Sequence, residues 1–283
     1  MPAITPEMRD AFHRDGVIVV RNCLTPEQLA ACHEAFKWAV ANPGPHVFSK
    51  LDGTKLQTHI DNANPNAKQR LDDLMMTLPF GRLYQEIWGS QHVWYYAEEI
   101  FAKDGGQSGR GPWHQDTANL PWAGSHWGNA WVTFQKIPKK NSLEVVRGSH
   151  LGIQYDGASF ANADDPTDPL YGHAASYPRL PDIDKELAAD PNSWDVVSFD
   201  IDPGDVVFLH PRSLHGGAPV DADCPTRHTI VFRFFGDNAQ FRPLPEGEAV
   251  HPKYARNGPL FSREMAKLNS GDAFRSPVFR QVI

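Results

Sequence analysis

The chain has 283 residues, of which 41% are hydrophobic and 11% aromatic, and its formal net charge is −7 at pH 7. This length and apolar content allow one sizeable core, and the acidic balance argues against nucleic acid or an anionic membrane as a partner. Three scattered cysteines fit reduced thiols; with no apolar run of about 18 residues and no signal-peptide pattern, we expect a cytoplasmic protein.

Residues 1 to about 90 are predicted to be mostly helical. Ile4, Met8 and Phe12 recur at helical spacing before Gly16, which predicts a first helix that stops at the glycine. A second helix is expected to begin at Thr25, because an N-cap threonine is followed by proline and then by the glutamine of a capping box.

The buried face of this second helix is predicted from its apolar spacing, and it comprises Leu29, Cys32, Ala35, Phe36 and Ala39. Another helical region should run from about Arg70 to Trp88, with breaks at Pro79 and Gly81. From about Val93 onward, the pattern changes to short β-prone runs separated by turn residues.

The pattern His-x-Asp occurs three times. His13-Arg14-Asp15 lies on the first predicted helix, where residues i and i+2 do not share a face, so this pair cannot chelate one ion. His59-Ile60-Asp61 precedes a run of turn formers and is predicted to be a surface turn that could line a pocket, with a loop that brings both groups to a metal as the alternative. His114-Gln115-Asp116 is surrounded by aromatic residues and is followed by the β-prone run Trp131–Phe134.

The third copy has the residues for a metal site. On a β-strand, residues i and i+2 project from one face, so His114 and Asp116 could hold one ion together. A distant histidine would complete the set of two histidines and one carboxylate that binds Fe(II) in oxygenases and leaves coordination positions open. Two candidates follow the predicted strand Val206–Leu209: His210 ends it, and His215 precedes two glycines. We favour His215 as the ligand and assign His210 a structural role.

Arg227 begins the next predicted strand, and Thr229 shares its face. An arginine can pair with a carboxylate through two parallel hydrogen bonds. Arg227 is therefore a candidate anchor for a dicarboxylate co-substrate. The alternative is a surface ion pair with the nearby Asp221 or Asp223.

Taken in order, these motifs resemble the phytanoyl-CoA dioxygenase family, a branch of the Fe(II)- and 2-oxoglutarate-dependent oxygenases. The resemblance spans roughly residues 5 to 240. Its matching segments are DGVIVV (Asp15–Val20), WHQD (Trp113–Asp116), the strand at Trp131, NSLEVVRGSH (Asn141–His150), and PGDVVFLHPRSLHGG (Pro203–Gly217) followed by Arg227.

The resemblance implies a mainly β fold: a double-stranded β-helix, or jelly-roll and cupin-like barrel, with flanking N-terminal helices. It also implies that His114, Asp116 and His215 bind Fe(II), and that Arg227 holds the 5-carboxylate of 2-oxoglutarate, with Trp131 beside the co-substrate. O2 would be the second co-substrate, and hydroxylation would release succinate and CO2.

Two departures from the family pattern stand out. Members often carry serine two residues after the distal histidine, where this chain has Gly217, so Thr229 becomes the candidate for the missing hydrogen bond. Arg147 stands where proline is usual. Halogenating relatives have lost the metal-binding aspartate, so the presence of Asp116 argues against halogenation.

The partner is expected to be a small to mid-sized organic molecule with a ring or an anionic group, because aromatic residues and arginines surround the motifs. The alternatives are core packing for the aromatic residues and a plain strand-end charge for Arg147. The candidate substrate contacts are Trp113, Asn119, Trp122, Trp127, Arg147 and Arg212.

We expect a single domain over residues 1–283, with the barrel at about 91–240. The insertion at about 152–195 is predicted to be a lid, or else a surface loop, and the tail 241–283 should wrap the barrel or contact a second copy in a homo-oligomer. Two rival functions remain open: a cupin-like metalloenzyme that needs no 2-oxoglutarate, and a catalytically silent barrel that acts as a binding protein.

Overall fold

The structure is a computed structural model, and it describes residues 2–52, 55–106, 108–116, 122–158, 164–170, 177–243 and 260–283. The helices in these ranges are α1 (Pro6–Asp15), α2 (Pro26–Ala41), α3 (Lys68–Met75), α4 (Phe80–Trp88), α5 (Ile183–Ala189) and α6 (Leu260–Met265). The strands are β1 (Val17–Val20), β2 (Phe48–Asp52), β3 (Lys55–Asn62), β4 (Val93–Lys103), β5 (Trp122–Ala123), β6 (Trp127–Thr133), β7 (Leu143–Val146), β8 (Val196–Ser198), β9 (Val206–Leu209), β10 (His215–Gly217), β11 (Arg227–Gly236), β12 (Gln240–Phe241) and β13 (Arg280–Gln281).

Two antiparallel sheets form the barrel. The larger has the strand order β1-β9-β6-β11-β4-β3-β2, with β13 added to β4, and the smaller has the order β10-β7-β8. Val145 of the small sheet packs in one apolar cluster with Trp131, Val207 and Val231 of the large sheet. The sheets thus face each other across this core, and the predicted double-stranded β-helix is confirmed.

The helices α1 to α4 cover the outer face of the large sheet, as the burial of one sheet face requires. Their buried residues share a cluster with Ile230, Phe232 and Phe234 of β11. Alternate residues of β11, Arg227, Thr229, Val231 and Arg233, therefore point into the barrel. This alternation places polar side chains in the interior, where the site is found.

Most helix boundaries follow the predictions. Gly16 ends α1 with φ 77°, and Thr25 and Gln28 form the capping box of α2. The break at Pro79 separates α3 from α4, but the predicted break at Gly81 is wrong, because this glycine lies inside α4. A Cβ at position 81 would approach Val282 to 2.8 Å, so the glycine makes room for the C-terminal residues.

The surface turn predicted at His59–Asp61 is also wrong. This segment belongs to β3 and pairs with β4, and both His59 and Asp61 are buried. Asp61 accepts hydrogen bonds from the backbone N–H of Gly44 at 2.8 Å and from Nδ2 of Asn64 at 3.0 Å. The turn formers therefore begin after the strand, and the Asp61 carboxylate has a structural role.

The described part of the C-terminal tail packs on the barrel. Phe261, Phe274 and Phe279 share a cluster with Trp122 and Trp127. In the insertion, residues 159–163 and 171–176 lie outside the described residues, as do 244–259 of the tail, so the lid remains a prediction. No helix in the described ranges combines the length and apolarity needed to cross a membrane.

Candidate metal centre and co-substrate site

Backbone hydrogen bonds hold the third His-x-Asp motif against the start of β10 and the residues just before it. His114 and His215 form an isolated antiparallel bridge, with N···O distances of 2.9 and 3.0 Å. The N–H of Asp116 donates to the carbonyl of Pro211 at 2.9 Å. The predicted strand at His114–Asp116 is therefore wrong, because the motif makes only an isolated bridge, but this one bridge suffices to bring both histidines together.

The side chains of His114, Asp116 and His215 converge. Oδ1 of Asp116 lies 3.4 Å from Nε2 of His114 and 3.8 Å from Nε2 of His215. The three ligand atoms lie within 4.8 Å of one another, and in the described part of the chain no other such group of three or more histidine, cysteine or acidic residues is found. The favoured set of three is therefore brought together.

Hydrogen bonds orient all three groups. Nδ1 of His114 lies 2.9 Å from the carbonyl of Pro112, and Nδ1 of His215 lies 2.9 Å from that of Ser213. A carbonyl at Nδ1 fixes the tautomer with the proton there, which directs the lone pair of Nε2 toward a metal. Nδ2 of Asn129 donates to Oδ2 of Asp116 at 2.7 Å, so Oδ1 is the carboxylate oxygen that faces the imidazoles.

The electrostatics favour the metal-binding forms of His215 and Asp116. Burial lowers the pKa of His215 to about 4, so this imidazole is neutral. Burial alone would raise the pKa of Asp116, but the hydrogen bond from His114 and the positive charge of Arg233 hold it well below its usual value. For His114, burial opposes protonation, yet the contact with Asp116 gives a net raised pKa. A bound cation would displace that proton.

A buried cluster of polar side chains around Arg233 adjoins the metal centre. Arg233 lies opposite Asn129 in the pairing of β11 with β6, donates to Oδ1 of Asn62 at 2.9 Å, and forms an ion pair with Glu99. Sequence reasoning missed Asn129, Arg233 and Glu99. Arg233 could have been found, because it continues the alternation from Arg227 and is a charge in an otherwise apolar strand.

Arg227 is buried, with 6% of its surface exposed. Its Nη1 donates to the carbonyls of Asn141 and, at 2.8 Å, of Ala218. Among the described residues no carboxylate lies within 4.0 Å of it; Asp221 and Asp223 pair with Lys140 instead, so the alternative of a surface ion pair is wrong. Burial lowers the pKa of Arg227 to about 10, which still leaves a cation at neutral pH.

A second buried cation lies beside Arg227. Lys103 is its direct partner in the register of β4 with β11, and its Nζ donates to the carbonyl of Gly109 at 3.0 Å. Burial lowers the pKa of Lys103 to about 8. Thr229, next on the same face, is buried, and Trp131 opposes Val231 in the neighbouring pair of strands. The sequence predicted Arg227, Thr229 and Trp131 but not Lys103.

Three of the predicted substrate contacts meet at one place. Trp122, Trp127 and Arg212 line a cavity of about 130 Å³, which His210 also lines. The ring of His210 accepts a hydrogen bond at Nδ1 from the backbone of Arg212 at 3.1 Å. His210 is thus outside the metal group, as expected.

The other candidates lie elsewhere. Nε1 of Trp113 donates to Asp184 at 2.8 Å, and the Trp113 ring packs in a cluster with Leu214 under α5. Trp113 therefore supports the insertion. Arg147 makes two hydrogen bonds to Asp195, at 2.7 and 2.9 Å, on the surface. The guanidinium of Arg147 is therefore paired with Asp195 and does not line the cavity. Asn119 lies outside the described residues.

Comparison with known proteins identifies the family of the chain. The model of the family described as phytanoyl-CoA dioxygenase (PhyH) matches residues 12–229, and the chain belongs to this family. A comparison with curated protein sequences finds no match.

Solved structures share the fold. The chain is similar to the non-heme alpha-ketoglutarate-dependent carbocyclase SnoK from nogalamycin biosynthesis, with a TM-score of 0.68 and 17% identity over 99% of this chain and 96% of that chain. It is also similar to the epimerase SnoN in complex with Fe3+, alpha-ketoglutarate and nogalamycin RO (TM-score 0.64, 17% identity, 98% of both chains). EctD from S. alaskensis gives a TM-score of 0.61 with 15% identity over 97% of this chain and 89% of that chain.

Proposed function

We propose that this protein is an Fe(II)- and 2-oxoglutarate-dependent dioxygenase that hydroxylates a small to mid-sized organic substrate. In the overall reaction, the substrate C–H bond, O2 and 2-oxoglutarate give a hydroxylated product, succinate and CO2. One observation carries the proposal: the group of His114, Asp116 and His215 shares the barrel interior with Arg227, a buried cation with no described carboxylate within 4.0 Å.

The three side chains fit Fe(II). Two neutral imidazoles and one carboxylate are the donor set that oxygenases use on one face of the metal, which leaves the opposite positions for other ligands. The hydrogen bonds from Asn129 and to Pro112 and Ser213 hold the donors in place. When bound, iron supplies the O2 and redox chemistry that amino-acid side chains lack.

The residues at the other end of the interior suit a dicarboxylate. Arg227 has N–H groups beyond those that Nη1 gives to backbone carbonyls, and an arginine binds a carboxylate in a planar, bidentate way. Lys103 adds a second positive charge on the adjacent strand. Thr229 lies between Arg227 and the metal side of β11 and offers a hydroxyl. Together these groups would bind the 5-carboxylate of 2-oxoglutarate.

The outcome of oxidation depends on which substrate bond is placed near the metal. The similar structures include a carbocyclase and an epimerase, so one fold supports several outcomes. The presence of Asp116 keeps the third protein donor and argues against halogenation, and among the remaining outcomes we propose hydroxylation.

An anaerobic visible spectrum tests the proposal. Fe(II) and 2-oxoglutarate are added in turn to the wild-type protein, and a charge-transfer band should appear only when both are present. His215→Ala should abolish the band. His210→Ala is the matched control: it removes another buried histidine from the same segment and should retain the band.

The same experiment separates the rivals. Iron binding without a band after 2-oxoglutarate is added would favour a cupin-like metalloenzyme that needs no co-substrate. A folded protein that binds no iron would favour a silent binding barrel. Loss of the band in His210→Ala but not in His215→Ala would move the third ligand to His210.

A further inference from the structure

The cavity beside the metal centre contains two arginines. Arg212 and Arg242 line it, with Trp122, Trp127 and Gln154. Nη2 of Arg212 donates to the carbonyl of Gly152 at 2.8 Å, and Nη2 of Arg242 donates to Oε1 of Gln154 at 2.9 Å. The guanidinium groups are therefore held from the same short segment, Gly152–Gln154.

The walls of this cavity offer hydrogen-bond donors that lack acceptors. In the described part of the chain, Nε of Arg212, Nε of Arg242 and Nε1 of Trp122 are buried without a hydrogen-bond partner. The only acceptor of the Gln154 side chain, its Oε1, already bonds Arg242. Buried donors without acceptors are unfavourable and call for a partner. A ligand with several acceptor oxygens would supply it.

The charge in the cavity points to the same ligand. The neighbouring Arg242 and burial both lower the pKa of Arg212, with burial the larger effect. Two guanidinium groups repel each other at short range, and no carboxylate in the described ranges lies within 4.0 Å of either one. The aromatic rings in the cavity wall are those of Trp122 and Trp127, and Arg242 also lies over the ring of Tyr177, with 5.5 Å from Cζ to the centroid. An anion would remove the repulsion.

Two hydrogen bonds link the wall of the cavity to the metal-binding segment. The carbonyl of Arg212 accepts a hydrogen bond from Nε2 of Gln115, the middle residue of the His-x-Asp motif, at 2.8 Å. The carbonyl of the preceding Pro211 accepts from the N–H of Asp116 at 2.9 Å. A molecule anchored at Arg212 would therefore lie next to the metal-binding segment.

We propose that the substrate carries an anionic group, a carboxylate or a phosphate, that binds between Arg212 and Arg242 with its adjoining ring or chain against Trp122. This inference rests on the proposed function, because it assigns the cavity to the substrate of that reaction. It selects acids over neutral molecules, and it makes the two arginines specificity-determining residues that do not take part in the chemistry.

Calorimetric titration with matched probes tests the inference. Phenyl phosphate, benzoate and the neutral benzyl alcohol are titrated into the anaerobic protein loaded with Fe(II) and saturated with 2-oxoglutarate, so that Arg227 is already occupied. At least one anion should bind at least tenfold more tightly than the alcohol. Preference for phenyl phosphate would assign a phosphate, and preference for benzoate a carboxylate.

Variants then locate the binding site. Arg212→Gln and Arg242→Gln should each weaken anion binding at least tenfold without affecting the alcohol, and Arg212→Lys should recover part of the loss. Arg147→Gln, which removes an arginine paired with Asp195 on the surface, is the matched control and should change nothing. Equal binding of anions and alcohol, or anion binding that both cavity variants leave intact, overturns the inference.

The two proposals fail in different ways. The charge-transfer band of the Fe(II) and 2-oxoglutarate complex should persist in Arg212→Gln, since this residue does not touch either one. A wild-type protein that shows the band but does not discriminate between anions and alcohol refutes only the anion site. If no band forms, the titrations are repeated on the metal-free protein, where arginine-dependent anion binding would still support the cavity.

Discussion

Gly217 lies so close to Arg227 that a side chain at position 217 would require the guanidinium to shift. A Cβ built at position 217 would lie 2.9 Å from Nη2 of Arg227, closer than real Cβ atoms approach. The guanidinium cannot move away freely, because its Nη1 is bonded to the carbonyls of Asn141 and Ala218. The departure from the serine that family members often carry here therefore has a steric explanation: the space is filled by the arginine.

Gly217→Ala should thus impair co-substrate binding. The added methyl group would shift the guanidinium from its position, and we expect the KM for 2-oxoglutarate to rise about tenfold, equivalent to about 1.4 kcal/mol of binding free energy. Iron affinity should not change. Steady-state kinetics or calorimetric titration of 2-oxoglutarate would measure the effect.

Gly109→Ala is the control for this substitution, since a Cβ there would meet nothing within 4 Å. It should leave the KM for 2-oxoglutarate unchanged. An equal rise in both variants would show that the effect does not come from the contact with Arg227.

The binding of 2-oxoglutarate should weaken at alkaline pH. Burial lowers the pKa of Lys103 to about 8, so its charge is present below that pH and is lost as the pH rises through it. If only the charged form binds well, the Kd for 2-oxoglutarate should rise up to about tenfold between pH 7 and pH 9. Titration of the Fe(II)-loaded protein at the two pH values measures this change.

The contribution of Lys103 to folding has the opposite sign. Its pKa is lower in the folded protein than in the unfolded chain, so the unfolded state binds more protons between about pH 8 and pH 10, and this contribution to stability rises with pH there. Weaker co-substrate binding at pH 9 is therefore not a consequence of Lys103 destabilising the fold. Lys103→Met should bind 2-oxoglutarate weakly at both pH values; a variant that retains the pH dependence would assign it to another group.

Asn129→Ala should weaken metal binding. The side-chain amide of Asn129 donates a hydrogen bond to Oδ2 of Asp116 at 2.7 Å. Loss of a hydrogen bond that orients a metal ligand commonly reduces metal affinity by about 10- to 100-fold. Competition with a chelator under anaerobic conditions measures the affinity. A variant that melts like the wild type yet binds Fe(II) equally well would show that Asp116 is held by its backbone alone.

The metal site could be predicted because its residues are close in sequence or follow readable strand and turn signals. His114 and Asp116 are separated by one residue, and His215 precedes two glycines. Lys103 and Asn129 could not be predicted, because their roles depend on the register between β4, β6 and β11, which pairs residues about a hundred positions apart. Strand pairing at that range has no local signal in one sequence.

The same limit explains the error at His59–Asp61. The residues after this segment are turn formers, but its own polar side chains are buried by partners distant in the chain, such as the backbone of Gly44. Polar composition indicates a surface position only when such partners are absent. The element type was therefore decided by tertiary hydrogen bonds and not by local propensity.

Arg233→Met should destabilise the protein strongly. Arg233 and Glu99 form an ion pair in which the two side chains are 5% and 12% exposed, so the substitution leaves a carboxylate in the barrel interior without its cation. Breaking a buried pair in this way costs about 3–5 kcal/mol. Chemical denaturation of the metal-free protein would show the loss as a lower midpoint.

The double variant Glu99→Gln with Arg233→Met separates the pair from the metal site. It removes both charges, and we expect it to recover much of the lost stability, because replacing a whole buried ion pair is often nearly neutral. Iron binding should not recover to the same extent, since the positive charge of Arg233 also acts on Asp116. If the double variant is as unstable as Arg233→Met, the hydrogen bond of Arg233 to Asn62, and not the pair with Glu99, holds this part of the barrel.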